Sequence, residues 1–271
     1  VVLIIYGILT ETSIGRLFLA GIIPGLMVAF SFAVTLFGWC SIRPELGPKG
    51  QKSSWKERFA SLPPVIGVIV VFLLVVGGLM QGFFTPTEAG SVGTFAVLVL
   101  TLLKRDMNLK RFVKAISETL RIACMVMILI AGATILGHFF AVTRTPYVVA
   151  DWLQGLNMPP TVVIFIIIGV YLIGGSFIED LAFLILATPI FLPVVVKLGY
   201  DPIWFGVVVS IIGVILPPMA INAFVVSGVV KVPVQTVYQG IYPYLVGMAI
   251  CLIIVILFPE ISLWLPNMVM K

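Results

Sequence analysis

Five stretches, 17–39, 63–82, 86–103, 122–142 and 240–258, carry almost no charge, and each reaches or approaches the roughly 20 residues that a helix needs to cross a bilayer. In hydrocarbon every backbone N–H and C=O must be satisfied within the protein, so only helices and closed barrels can span. A barrel would show short alternating segments instead of long apolar runs. The fold class is therefore an all-α integral membrane protein. Composition agrees: 61% of the 271 residues are apolar and 10% charged, against an apolar share of about half in soluble domains. Cys40, Cys124 and Cys251 are scattered in or beside apolar helices without metal or disulfide spacing and read as small hydrophobes.

Net charge is +5, and its distribution sets orientation. Counting successive crossings, Arg43, Lys49, Lys52, Lys56, Arg58, Lys104, Arg105, Lys110, Arg111, Lys114, Arg121 and Lys231 gather on one side. Arg16, Arg144, Lys197 and Lys271 are left for the other. The first side is cytoplasmic. Charges spent this way on loops call for a lipid bilayer as partner and for no nucleic acid. The chain opens on "VVLIIYG", inside an apolar run and without a Met, and is expected to be a fragment or a processed chain.

Five regions follow. Residues 1–39 hold the second half of a broken helix, a polar turn from Thr10 to Ser13, and a spanning helix. Residues 40–121 hold a cytoplasmic loop with a short interfacial helix ("SSWKERFAS"), two scaffold helices, and a second interfacial helix. Thr85, Pro86 and Glu88 have the spacing of a capping box with proline at the first helical position, so Glu88 reads as a helix cap rather than a catalytic acid. At the end of this region Leu109, Phe112, Val113, Ile116 and Leu120 form an apolar stripe opposite Lys110, Arg111, Lys114 and Arg121, which predicts a helix lying along the interface before the chain dives at 122. Residues 122–160 form a spanning helix and a periplasmic loop. His138, with no second ligand near it in sequence, reads as a hydrogen-bonded core histidine rather than a metal ligand. Residues 161–239 hold a candidate re-entrant hairpin and a broken helix, and 240–271 the last spanning helix and tail.

Within 161–239, "TVVIFIIIGVYLIGG" is 15 residues, about 22 Å of helix. The segment 181–196 is barely longer and contains Pro189 and Pro193. Both are short for about 30 Å of hydrocarbon, and "GGSFIED" lies between them. A re-entrant hairpin fits better than two tilted spans. Then comes "GVILPPMAIN", residues 213–222. Pro217 and Pro218 lack N–H groups and clash with carbonyls four residues back, so the carbonyls of Gly213 and Val214 lose their helical partners. Such carbonyls in a membrane need protein, water or a cation, and interruptions of this kind near the midplane are where transporters bind coupling ions. A purely structural kink is the alternative.

The chain also repeats itself. "YGILTETSIGRLFLAGIIPGLM" from Tyr6 aligns with "SGVVKVPVQTVYQGIYPYLVGM" from Ser227 with a two-residue gap, pairing Gly7 with Gly228, Gly21 with Gly240 and Pro24 with Pro243. The first copy runs outward and the second inward, as inverted-topology repeats do. An acid at the bilayer centre costs about 2.5–3.5 kcal/mol to insert. Glu179 and Asp180 at the hairpin tip are therefore candidates for cation or polar-substrate contact. In two tilted spans they would be ordinary loop charges.

The segments "IIYGILTETSIGRLFLAGIIPG", "GFFTPTEAGSVG", "LATPIFLPVVVKLGYDP", "PPMAINAFVVSGV" and "FPEISLWLP" resemble, in this order and over the whole chain, the large membrane subunit of tripartite ATP-independent periplasmic (TRAP) transporters. The resemblance corresponds to the later part of that subunit, without its first re-entrant hairpin. It implies an elevator fold of the ion-transporter superfamily with inverted repeats, a re-entrant hairpin and a discontinuous helix. It also implies a multi-pass protein of the bacterial inner membrane that imports a small organic acid, such as a C4-dicarboxylate or sialic acid, with Na+. The partners it implies are a small four-helix membrane subunit and a periplasmic substrate-binding protein. Carried over by motif, Gly175 and Ser176 with Gly213, Leu216 and Pro218 would hold sodium, largely through backbone oxygens, and Glu179 and Asn222 would contact substrate. Two places depart from the family pattern: Ile178-Glu179-Asp180 stands where Met-Asp-Pro is common, and Leu216 where a threonine often precedes the proline pair.

Three other functions compete. A sodium-coupled anion transporter of related fold would need no binding protein. An intramembrane enzyme would use Glu179, Asp180 or His138, but should show several converging polar groups on its helices, and this chain offers few. A structural membrane scaffold would need none of these features.

Overall fold

A computed structural model describes residues 2–46, 54, 62–105, 107–144, 148, 151–152, 158–177, 180–212 and 221–270. The helices are α1 (Val2–Leu9), α2 (Ile14–Ile42), α3 (Leu62–Met80), α4 (Pro86–Leu103), α5 (Leu109–Thr143), α6 (Pro160–Phe177), α7 (Asp180–Lys197), α8 (Pro202–Ile212), α9 (Ile221–Val230), α10 (Val234–Leu257) and α11 (Glu260–Val269), with a short 3-10 turn at Pro44–Leu46. Among the described residues, five of these are long and apolar enough to cross a membrane: α2, α4, α6, α10 and, over Leu109–Phe140, α5. The expected interfacial helix in "SSWKERFAS" falls on residues outside those described, apart from Ser54.

Two compact units divide the chain, one of Val1–Pro44 with Leu129–Lys271 and one of Glu45–Ile128. In the second, α3 and α4 pack as a helical hairpin. Gly82, at φ +74°, closes α3: Phe83 N–H donates to Gly78 O and Gly82 N–H to Leu79 O, the paired bonds of a Schellman stop. Four residues later α4 opens on the expected capping box. Thr85 N–H donates to Glu88 Oε2 at 2.8 Å and Glu88 N–H to Thr85 Oγ1 at 3.3 Å. Glu88 is thus a cap, as its spacing predicts.

The prediction of a separate interfacial helix over 109–121 is corrected by α5, which runs through position 122 as one 35-residue helix. No glycine or proline occurs between residues 109 and 131 to stop it, and an amphipathic first half does not by itself impose a break. At about 52 Å the helix is longer than the hydrocarbon is thick. His138 is also corrected: it sits exposed on α5, not in a core, because Ala133 is the buried residue of this helix among those described.

In the first unit the repeat seen in the sequence is visible as structure. A short helix, a tight turn and a long helix recur as α1–α2 and α9–α10, and the short helix packs on the long one in both. Each turn carries one residue in the left-handed region, Glu11 at φ 54° and Lys231 at φ 58°. Each long helix keeps its proline, Pro24 and Pro243, without breaking. The long helices also pack on each other. Cys251 Sγ donates to Met27 O at 3.6 Å, Gly247 lies against Ser31, and Phe32 meets Tyr244 edge to face at 5.4 Å. As numbers rise on one helix they fall on the other, so α2 and α10 are antiparallel.

Candidate functional site

At the middle of the first unit lies α8, 11 residues long, packed by α1, α2, α6, α7, α10 and α11. Ile203 to Val209 are all buried, as is Ile212. A helix that is apolar all round and closed all round has no face left for lipid. Its start is set locally within "LGYDP". Gly199, at φ +87°, ends α7, with Tyr200 N–H donating to Val195 O and Gly199 N–H to Val196 O. Asp201 then caps α8 through Oδ1, which accepts from Ile203 N–H at 2.7 Å, and Pro202 occupies the first helical position.

Three fully buried or nearly buried polar-tipped aromatics fix α8 in place. Tyr6 of α1 donates from its hydroxyl to Pro202 O at 2.7 Å, and its ring lies on Gly206, where only hydrogen fits. Trp204 donates from Nε1 to Val255 O of α10 at 2.8 Å and stacks on Tyr200 at 4.8 Å. Tyr171 of α6 meets Phe205 edge to face at 5.7 Å. Without these bonds each buried polar tip would carry an uncompensated desolvation penalty.

Tyr171 also organises the helical hairpin of α6 and α7. Its ring contacts Phe183 at 5.5 Å and Phe191 at 5.8 Å, and its hydroxyl lies 3.4 Å from Thr188 Oγ1. Thr188 spends its own proton on Leu184 O at 2.6 Å, so the tyrosine is the donor of that contact. Nearer the tip, Gly174 lets the Phe183 ring close onto the α6 backbone. At the open end Thr161 lies 3.4 Å from Tyr200. The two helices therefore run antiparallel. α6 is 18 residues, about 27 Å, longer than the apolar run alone indicates.

The hairpin touches α8 through the Tyr171–Phe205 contact. Beyond it six residues remain to the end of α6 and seven to the end of α8. Gly175 and Ser176 lie in the last turn of α6. A Cβ on Gly175 would meet nothing within 4 Å, so this glycine does not serve packing. Ser176 is buried and donates from Oγ to Leu172 O at 2.6 Å. With its proton committed, the oxygen offers lone pairs, the arrangement a cation ligand needs.

Of the other predicted site residues, Glu179, Gly213, Leu216 and Pro218 lie outside the described residues; Asn222 lies in the first turn of α9, its side chain outside what is described. Asp180 begins α7. Among the described residues no group of three His, Cys, Asp or Glu side chains is placed to hold a metal. Sequence reading missed Tyr6, Tyr171, Trp204 and Gly206. A signal was present for the tyrosines, since each puts a hydroxyl into an otherwise apolar run.

A short helix buried among its neighbours, in a chain with five membrane-length helices among the described residues, defines a multi-pass all-α membrane protein. Residues 1–261 match the family model of the tripartite ATP-independent periplasmic transporter, DctM component, and the chain belongs to that family, an integral, multi-pass protein of the inner membrane. It is 33% identical over 271 residues to the C4-dicarboxylate TRAP transporter large permease protein DctM of Pseudomonas aeruginosa, covering 98% of this chain and 63% of that protein. It is 35% identical over 270 residues to the sialic acid TRAP transporter large permease protein SiaM of Vibrio cholerae, with the same coverage. The 2,3-diketo-L-gulonate TRAP transporter large permease protein YiaN of Escherichia coli is 32% identical over 262 residues, covering 95% of this chain and 61% of that protein. The chain thus spans a little under two thirds of the length of these relatives.

Proposed function

We propose that this chain is the later part of the membrane permease subunit of a sodium-coupled secondary transporter that imports a small organic acid delivered by a periplasmic binding protein. The cycle is an elevator movement of the region around α8 and the α6–α7 hairpin. The observation that carries this reading is α8 itself: a membrane-embedded helix too short to span, buried on every face, and followed by Pro217 and Pro218. Where such a helix stops, its last carbonyls need a partner, and Na+ is a partner that also supplies a driving force.

Gly175, Ser176, Gly213, Leu216 and Pro218 would hold the ion. Glu179 and Asn222 would meet the solute. The two copies α1–α2 and α9–α10, packed antiparallel through α2 and α10, support the inverted-repeat reading, and the hairpin closing on α1 and α8 supports re-entrance. A C4-dicarboxylate, a sialic acid or a diketo-gulonate, the solutes in the names of three relatives, are all small organic acids, and this is the class proposed here. The small membrane subunit is a separate chain or fused, since one relative is named as a combined permease, DctMQ.

The test is uptake of a labelled organic acid by proteoliposomes carrying the full-length subunit with its small partner. Uptake that requires both Na+ and the binding protein supports the proposal. Uptake without binding protein selects the independent anion transporter instead, and uptake unchanged in choline removes the coupling.

A further inference from the structure

The second unit holds two apolar grooves, one on each side of α4. The first, about 390 Å³, is walled by Val71, Phe72 and Val75 of α3 and Val97 and Leu100 of α4, and Lys104 also lines it. The second, about 340 Å³, lies between α4 and the first turns of α5 and shares Val97 and Thr101 with the first. Gly67 faces Leu100 and Gly93 faces Val75. Lys104 therefore stands at the Gly67 end of the first groove, the end that the charge distribution assigns to the cytoplasm. There Lys104, Arg105 and Lys110 are exposed, and among the described residues none of them has an ion pair; the ion pair of this unit is Lys114 with Glu118, at 3.8 Å.

Size and charge identify the occupant. From Gly67 to Val76 is nine residues, about 14 Å of rise, close to the half-thickness of a hydrocarbon core of about 30 Å. Spread over that length, 390 Å³ gives a section of about 28 Å², room for a polymethylene chain lying along the groove. Two adjoining apolar grooves, the first close to one leaflet deep and the second lined over about 10 Å of α4, with cations at the interfacial end, match a molecule with two hydrocarbon tails and one anionic head. We propose that α4 is straddled by an anionic diacyl phospholipid of the cytoplasmic leaflet, one chain in each groove and its phosphate on Lys104 and Arg105. Attraction between basic side chains and anionic headgroups supplies the preference, and the grooves supply the register.

The experiment uses the full-length subunit equilibrated with vesicles of equal parts phosphatidylglycerol and phosphatidylcholine, with retained lipid counted by native mass spectrometry. Wild type should retain phosphatidylglycerol several-fold over phosphatidylcholine. Lys104→Gln with Arg105→Gln should bring the ratio back to that of the vesicle, while Lys104→Arg keeps the preference. Leu100→Trp, which fills the first groove, should reduce retention of both lipids. The proposal is overturned if wild type shows the bulk ratio or if the double Gln variant keeps the enrichment. It is equally overturned if adding the small membrane subunit expels the lipid, which would make the grooves a protein interface.

Discussion

Replacing Gly206 by alanine tests whether α8 is held as tightly as its contacts require. In an open helix the change stabilises by about 1 kcal/mol, because alanine restricts the unfolded chain and glycine does not. At Gly206 the new Cβ would fall on the Tyr6 ring and within 3.0 Å of Leu17 Cδ2. Tyr6 and Leu17 are both fully buried and have nowhere to swing. Overpacking of this kind costs about 1–3 kcal/mol, and moving Tyr6 also gives up its bond to Pro202 O, about 1 kcal/mol more. The net expectation is a loss of about 1–3 kcal/mol. Gly169 of α6 is the control: a Cβ there meets nothing within 4 Å, so Gly169→Ala should gain about 0.5–1 kcal/mol. The two variants, the same chemical change in two helices, should move in opposite directions. Thermal unfolding of the purified subunit in detergent, followed by tryptophan fluorescence to which Trp204 contributes, reads the sign directly. Adding Tyr6→Leu to Gly206→Ala should recover part of the loss, since residues in contact are not additive. If Gly206→Ala raises the melting temperature as Gly169→Ala does, the packing of α1 on α8 described here is wrong.

Other expectations concern the site and the scaffold. On the proposed sodium site, Gly213→Val should abolish sodium-dependent uptake by crowding the carbonyls that Pro217 and Pro218 are expected to free, while membrane insertion, read from the amount in the membrane fraction, stays at the wild-type level; wild-type sodium dependence would remove Gly213 from the site. Glu179→Ala should lower uptake more than Glu88→Gln, because Glu88 serves Thr85 as a helix cap and the reverse order would reassign the two acids. Thr85→Ala should cost about 1 kcal/mol of stability through loss of that cap, with little change in the uptake KM, and an unchanged melting temperature would mean the cap carries no weight.

Much of this architecture was readable because hydrophobic patterning and end signals act locally. The run 86–103 and its Thr85-Pro86-Glu88 start coincide with α4, and the paired Gly7/Gly228 and Pro24/Pro243 mark α1–α2 and α9–α10. What periodicity could not separate was burial by protein from burial by lipid. α8 is as apolar as a spanning helix, and only its contacts reveal that every face is covered. The same ambiguity misplaced His138, since an apolar helix facing outward looks in sequence like one facing a core. The continuity of α5 was missed for another reason: a charged stripe on 109–121 signals an interface, yet nothing in its residues forces the backbone to turn there. In the site, Gly174 and Gly175 marked the neighbourhood of the hairpin tip, though α6 runs through both to Phe177, whereas the pairing of Tyr171 with Thr188 and of Tyr6 with Pro202 spans 17 and 196 positions and has no local signature.

The central claim is that Na+ binds where α8 stops. A ligand that binds only the folded state raises stability as its concentration rises, by about 2.7 kcal/mol at 100 times its Kd. The most direct measurement is thermal unfolding of the full-length subunit across a sodium series, with potassium replacing sodium to hold ionic strength constant. A melting temperature that climbs with log sodium, and no longer does so in Gly213→Val, is the predicted result. Identical melting curves in the two ions would contradict the account.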